Sequence, residues 1–386
     1  LFTLFVLFIA FSAGRLLLMA VLALLEQRRE KKTVFLPVAG AQLPRVSIIV
    51  PAYNEEVNAV ASLRHLLKTD YPAFDIVFVD DGSKDSTYAR VSEAFAGHPL
   101  VKVLTKPNGG KASALNFGIA QTDAAFVVCI DADTQLQPDA VSQLMKHFSP
   151  TTHPPTPSLR EGERIVVGAV AGNVKVGNEV NLLTRWQSIE YITAQNFDRR
   201  ALAYVNAVTV VPGAIGAFRK EAMEKAGGFS TDTLAEDCDL TIRILRAGYA
   251  VRNENEALAF TEAPEGLRPF LKQRFRWSFG VLQTFWKHKD LLFNGRYGAL
   301  GWLAMPNILL FQYIIPAFIP LADFFMVLGL ATGNAHKILP YYAAFVLVDA
   351  AVAFVAFRME RERAGRLLWL LPQRLVYRWL MWVVLF

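Results

Sequence analysis

Phe126-Val127-Val128-Cys129-Ile130-Asp131-Ala132-Asp133-Thr134 is a short apolar run that ends abruptly in two carboxylates spaced i, i+2. An uninterrupted run of this kind predicts a strand buried on both faces of a sheet. Where such a strand runs out, its carboxyl end opens onto the crevice in which open α/β sheets bind ligands, so both acids can face a bound ion or substrate. Hard oxygen ligands suit Mg2+ or Mn2+, held in a site that keeps waters and takes its remaining ligands from substrate phosphates. Asp-x-Asp on its own is more often a solvated turn, so the reading rests on the rest of the chain.

The 386 residues are enough for one large domain or two ordinary ones. The hydrophobic fraction is 53% and the mean hydropathy +0.29, high for a soluble enzyme, with the excess at the two ends. That distribution predicts a central domain flanked by membrane segments. Net charge is +6, yet the basic residues cluster beside apolar stretches, in Arg28-Arg29-Glu30-Lys31-Lys32 and from Arg358 to Arg366. Positive charge beside a span marks the cytoplasmic side, and the chain has no arginine stripe interleaved with aromatics to suggest nucleic acid. The two cysteines, Cys129 and Cys238, cannot make a disulfide framework and read as reduced thiols.

Residues 1–25 are apolar apart from Arg15 and long enough to cross a bilayer. No small-residue cleavage pattern precedes the basic linker 26–44, which favours a retained helix over a signal peptide. The chain starts without Met, as expected of a segment of a longer protein. Residues 45–298 then alternate strands with helical stretches. Val46–Val50 ends at Pro51-Ala52-Tyr53-Asn54-Glu55-Glu56, Ile76–Val79 at Asp80-Asp81-Gly82-Ser83, Leu100–Leu104 before the Gly-rich turn Lys106–Lys111, and Phe126–Ile130 at the paired acids. Ser83 or Asp85 is placed to cap the helix after the second strand. Three of these four strands end in acid-bearing turns, as in a nucleotide-binding open sheet, and the intervening helices predict parallel order. Residues 149–163, with four prolines between 150 and 157, predict a mobile insertion that neither continues a helix nor joins a sheet, with His153 solvated. Val166–Val176 returns to strand, and 182–205, a stretch through Lys225 and 233–248 read as helices.

In the closing segment 299–386, residues 308–332 and 341–357 are each long enough to span, 301–307 and 367–371 read as interfacial, and 376–386 as a span running to the last residue. Asp323 and Asp349 are costly in lipid and are expected to face other helices or a polar passage, or else to sit at helix ends. The basic flanks place 26–298 on the cytoplasmic side of the membrane.

Pro51-Ala-Tyr-Asn-Glu55, Val79-Asp-Asp-Gly-Ser83, Asp131-Ala-Asp133, Ala235-Glu-Asp237 and Gln273-x-x-Arg276-Trp277, in this order over roughly residues 45–290, resemble the signature set of family 2 glycosyltransferases. The last motif is similar to that of the processive membrane branch, which makes cellulose, chitin, hyaluronan and poly-N-acetylglucosamine. Val211-Pro-Gly-Ala-Ile-Gly-Ala-Phe-Arg219 with Leu234-Ala-Glu-Asp most resembles the poly-β-1,6-N-acetylglucosamine synthases, and also membrane transferases fused to polysaccharide deacetylase domains.

The resemblance implies an α/β domain of GT-A (Rossmann-like) type, with a mixed, mostly parallel sheet flanked by transmembrane and interfacial helices. It implies an inverting enzyme of the inner (plasma) membrane, multi-pass with a cytoplasmic catalytic domain. That enzyme would transfer a sugar from a UDP-sugar, UDP-N-acetylglucosamine first, to a growing β-linked polysaccharide. A cellulose, hyaluronan or chitin synthase and a single-addition transferase acting on a lipid carrier stand beside that reading, and a catalytically silent scaffold that senses sugar nucleotides stands against it. The implied partners are the donor, the polysaccharide acceptor, the bilayer, and a small membrane subunit or a fused deacetylase domain.

Tyr53, Glu55, Asp80 and Asp81 are implied at the base and ribose, Lys111 near the diphosphate, and Asp131 and Asp133 on Mg2+ or Mn2+, with Asp133 the more direct ligand and Asp131 also near the nucleotide sugar. Asp237 matches the base that deprotonates the acceptor hydroxyl. Ala235 stands where Thr is common before Glu-Asp, which leaves the base itself intact. Gln273, Arg276 and Trp277 are implied at the acceptor, Trp277 as a stacking face. A basic aromatic helix lying on the membrane is the other reading of that stretch, and the two are compatible.

Overall fold

The computed structural model describes residues 2–35, 43–148, 151–152 and 166–386. The chain forms two compact units, one of Arg29–Asn178 with Asn206–Ala263, the other of Leu1–Arg28, Glu179–Val205 and Pro264–Phe386.

The first unit is built on strands β1 (Val34–Phe35), β2 (Val46–Ala52), β3 (Phe74–Asp80), β4 (Val101–Thr105), β5 (Phe126–Cys129), β6 (Gln135–Leu136), β7 (Thr151–Thr152), β8 (Val167–Val176), β9 (Gly216–Arg219) and β10 (Ala250–Thr261). Eight of them form one sheet in the order β4-β3-β2-β5-β9-β8-β10-β6. The pairs β4/β3, β3/β2, β2/β5 and β8/β10 are parallel; β9 runs antiparallel to both β5 and β8, and β6 antiparallel to β10. The sheet is therefore mixed and mostly parallel. Every residue of β2 and β5 is buried, which is why these strands read as continuous apolar runs instead of alternating ones.

β9 and β10 were not legible as strands. β10 carries Arg252-Asn253-Glu254-Asn255-Glu256, five polar residues in succession, four of them buried. The burial is tolerated because partners meet these groups. Glu254 Oε2 lies 2.7 Å from His147 Nε2 and 2.6 Å from Lys146 Nζ, and Asn255 donates to Glu30 Oε1 at 2.6 Å. Neither Ser83 nor Asp85 is the N-cap of the helix Thr87–Ala94, which is Ser86 without a side-chain capping bond; Asp85 sits one residue earlier, its Oδ1 accepting from the Thr87 N–H at 3.0 Å. The proline-rich insertion, His153 included, lies outside the described residues except for Thr151–Thr152, and those two do join a sheet, pairing antiparallel with β1. Residues 36–42 of the linker also lie outside them.

In the second unit, Val6–Lys32, Leu300–Ala317 and Ala335–Met359 are long and apolar enough to cross a membrane, the first of them contributing its residues up to Arg28. Residues 308–332 do not form one span. The chain leaves the first helix at Phe318 (φ −92°, ψ 2°) and opens a separate 13-residue helix, Ile319–Ala331, with proline in its first turn. Residues 301–307, expected at the interface, are instead continuous with the helical run to Ala317. The charges on these apolar helices are paired. Arg15 bonds to Asp198 and donates to Asn307 Oδ1 at 2.9 Å. Asp349 meets Arg374 at 3.0 and 3.2 Å, and Asp323 meets Arg378 at 3.0 Å. Both acids thus face the helix Leu370–Leu385, as expected of charges on apolar helices.

The helix Lys111–Ala120 is set against the sheet through Gly118, where a Cβ would stand 2.8 Å from Ile49 Cγ2 and 2.9 Å from Val79 Cγ2. Gly118→Leu is expected to cost about 1–3 kcal/mol by overpacking and to lower the midpoint of a thermal melt in detergent, with activity falling because Lys111 heads the displaced helix. An unchanged melt would show that the helix has room to spare.

Candidate active site

The acid-bearing turns converge because β2, β3 and β5 are parallel neighbours and end on the same side of the sheet. Tyr53, exposed, and Glu55, half-buried, follow β2; the buried Asp80 and Asp81 close β3; Asp131 and Asp133, both half-buried, follow β5. Asp80 accepts from Thr105 Oγ1 at 3.0 Å and from the Ser83 N–H. Asp81 accepts from Lys106 Nζ at 2.7 Å, from the Gly110 N–H at 2.7 Å and from the Gly109 N–H at 3.0 Å. Asp81 therefore shapes the turn that delivers Lys111 to the head of its helix, and Gly110, at φ +84°, is the residue type that turn needs.

Lys111 Nζ pairs with Asp131 Oδ1 and lies 3.7 Å from Glu236 Oε1. Burial would lower its ammonium, but Asp131 and then Glu236 outweigh that and hold it above its ordinary value. Glu236 and Asp237 begin the helix Glu236–Arg246, where Ala235 supplies no capping oxygen and Asp237 Oδ1 accepts from the Cys238 N–H at 2.8 Å. Asp237 Oδ2 accepts from the Gly213 N–H at 3.3 Å. A Cβ on Gly213 would meet Lys111 Nζ at 2.5 Å and Asp131 Oδ2 at 3.8 Å, so this backbone runs close beside the lysine tip, and a side chain there would shift the ammonium from its place at Asp131. Asp239 is spent on Arg243, at 2.7 Å.

The carboxylates left over are crowded. Burial, then Asp131, raises Asp133 to about 6; burial, then Glu236, raises Asp237 to about 6 against the pull of Lys111. Glu55 is pushed up to about 7 by burial and then by Asp133, Glu262, Asp131 and Asp85. Among the described residues no three His, Cys, Asp or Glu side chains form a metal cage. A pair of crowded carboxylates fits a cation whose other ligands come from phosphate and water, so Asp131 and Asp133 suit Mg2+ or Mn2+ by donor chemistry. Cys129 and Cys238 are free and buried, and burial raises Cys129 to about 12, so it offers no thiolate.

Gln273, Arg276 and Trp277 belong to the other unit, on the helix Leu267–Lys287. Arg276 is exposed, Trp277 half-buried, and the Gln273 amide oxygen is buried with no hydrogen-bond partner among the described residues. Phe275, Phe279 and Trp286 are exposed, whereas Phe270 is core. Sequence reasoning missed Gly213 as a site residue, Glu262 at the end of β10, and Lys106 as the holder of Asp81.

Two family models match the chain, glycosyl transferase family 2 over residues 47–154 and glycosyl transferase family group 2 over residues 126–357. The poly-beta-1,6-N-acetyl-D-glucosamine synthase of Staphylococcus epidermidis is 27% identical over 376 residues, covering 86% of this chain and 88% of its own length. That of Staphylococcus aureus (strain COL) is 30% identical over 239 residues, covering 62% of this chain and 55% of its own length. Among solved structures, a mannosyltransferase from Pyrobaculum calidifontis, in complex with GDP-Man and Mn2+, superposes with a TM-score of 0.64 at 23% identity, covering 93% of this chain and 99% of that one. The likeness in fold agrees with the mixed sheet and flanking helices of a GT-A glycosyltransferase. With its strand-end acids in one unit and a family model spanning most of its length, the chain belongs to glycosyl transferase family group 2 and is a glycosyltransferase.

Proposed function

We propose that the chain extends a β-linked polysaccharide by inverting transfer of N-acetylglucosamine from UDP-N-acetylglucosamine, at a membrane whose cytoplasmic side carries the catalytic domain. The observation that carries the reading is the meeting of Lys111, Asp131, Glu236 and Asp237, from three separate stretches of chain, around the Gly213 backbone. The synthases among its relatives support the choice of sugar.

Tyr53, Glu55, Asp80 and Asp81 form the nucleoside end, where the exposed Tyr53 ring can stack on a base and Asp80 and Asp81 hold the turns that enclose it. Lys111, at the head of its helix, takes the diphosphate, adding an ammonium to the helix N-terminus. Asp131 and Asp133 would hold a divalent cation, which when bound neutralises charge on the departing diphosphate. Asp237 takes the proton of the acceptor hydroxyl as that oxygen bonds to the anomeric carbon on the face opposite the leaving group, and the C–O bond to the diphosphate breaks. Its two backbone hydrogen bonds aim the carboxylate, and Glu236 beside it keeps it basic. Gln273, Arg276 and Trp277 take the acceptor, Trp277 by stacking.

Asp237→Asn is expected to lower radiolabel incorporation from UDP-N-acetylglucosamine by about 10²–10⁴-fold with little change in donor KM. Because the base acts ionised and lies at about 6, turnover should fall as pH drops through about 6. Unchanged turnover in Asp237→Asn would remove the base assignment. UDP-glucose and GDP-mannose as competing donors, with linkage-specific hydrolases applied to the product, test the sugar.

The second expectation concerns the cation. Asp133 lies at about 6 against an ordinary 3.8, so the fold prefers it protonated. Its ionisation therefore opposes folding increasingly as pH rises through about 4 to 6, and a cation that relieves this has most to gain above 6. Adding Mn2+ with UDP should raise the melting midpoint more at pH 7.5 than at pH 5, and Asp133→Asn should abolish the difference. Equal shifts in wild type and variant would take the cation away from this residue.

A further inference from the structure

The helix Leu267–Lys287 has two faces. Phe275, Phe279, Leu282 and Trp286, spaced i, i+4, i+7 and i+11, are exposed. Phe270, Arg274 and Trp277, spaced i, i+4 and i+7, make the other, with Phe270 and Arg274 only 0% and 2% exposed. Arg274 is the largest fully buried side chain among the described residues. Its Nη2 donates to Glu190 Oε2 at 2.7 Å. The guanidinium lies among rings, its central carbon 4.4 Å from the centroid of Trp277, 5.0 Å from Phe270 and 6.0 Å from Tyr191. The Tyr191 and Trp277 rings are 6.4 Å apart at 42°. Glu190 ends the helix Leu182–Glu190, and Tyr191 begins the wide π-helical turn Tyr191–Asn196, a feature that recurs at functional sites.

A buried ion pair is poor evidence of stabilisation, since apolar side chains of similar volume often serve as well. What an aliphatic chain cannot supply is a rigid plane. A guanidinium fixed along one edge by a carboxylate offers its face to an aromatic ring and fixes the tilt of that ring. We propose that Arg274 and Glu190 are positioning residues for Trp277, locking the indole in one orientation so that its free face is presented to the acceptor sugar. The proposal rests on the reading of Trp277 as the acceptor platform. Arg274 acts through the ring and not on the substrate.

The test uses the full chain in detergent, with radiolabelled UDP-N-acetylglucosamine as donor and a β-1,6-linked N-acetylglucosamine oligosaccharide as acceptor. Donor hydrolysis by water is measured alongside. Arg274→Met is expected to raise the acceptor KM by about tenfold, while donor KM and donor hydrolysis stay within about twofold of wild type. Arg274→Lys, which keeps charge but loses the plane, should behave like Arg274→Met; Glu190→Gln, which keeps a hydrogen-bond acceptor, should fall between.

Trp277→Phe should raise the acceptor KM as well, and adding Arg274→Met to it should make nothing worse, because both changes act through one ring. The near-UV circular dichroism lost in Arg274→Met should match that lost in Trp277→Phe. The proposal is overturned if Arg274→Met slows donor hydrolysis or raises donor KM, or if its effect multiplies with that of Trp277→Phe. Should Arg274→Met fail to fold, Glu190→Gln carries the same comparisons. If Trp277→Phe leaves the acceptor KM unchanged, it is the acceptor reading of Trp277 that falls.

Discussion

The ammonium of Lys111 is the interaction on which the catalytic unit depends. It joins the start of one helix, the end of β5 through Asp131 and the start of a second helix through Glu236. Without it, three carboxylates from distant parts of the sequence would stand together with nothing of opposite sign among them, a repulsion that a partly buried setting strengthens. One cation is still too few. Asp133 and Asp237 remain raised to about 6, by burial first and then by the neighbouring carboxylates Asp131 and Glu236. A divalent cation beside these carboxylates would relieve the repulsion among them, whereas an anion alone would add to it.

The second unit solves a related problem by local pairing. Asp323 and Asp349 come from two successive helices, and Arg378 and Arg374, one turn apart on the helix Leu370–Leu385, meet them singly. Two ion pairs thereby tie three apolar helices in one register, where dispersion between similar side chains would leave sliding nearly free. Arg15 does the same for the first helix through Asp198 and Asn307. Removing one partner would strand a charge, which is the costly change; removing both would not.

How much of this could be read in advance divides along one line. β2, β3 and β5 were legible because burial on both faces leaves a nearly unbroken apolar run, and the acids were legible because they end such runs. β10 was not, since its buried polar row is intelligible only once Lys146, His147 and Glu30 are known to face it. Gly213 escaped for a similar reason. Nothing in its neighbours says that a lysine 102 positions earlier will pass within 2.5 Å of a Cβ there. The break at Phe318 was hidden because 308–332 is long, apolar and almost uncharged, and only packing decides where such a stretch turns. Pattern reports a residue's own environment well when that environment is uniform, and poorly when it depends on a specific distant partner.

That distinction also sorts the acids of the catalytic unit. Asp81 is met by an ammonium and two backbone N–H groups, Asp239 by Arg243, and Glu254 by His147 and Lys146, which against the effect of burial hold it at about 2. Each of these carboxylates is satisfied within the fold and has little left to offer a ligand. Glu55, Asp133 and Asp237 are only half-buried, yet burial together with neighbouring carboxylates raises all three, Asp237 despite its two backbone N–H donors. A carboxylate left in that condition costs folding free energy at neutral pH, so its presence needs a reason outside the fold itself. The three lie just after β2 and β5 and at the start of the helix that follows Ala235, apart from the acids that the fold itself satisfies.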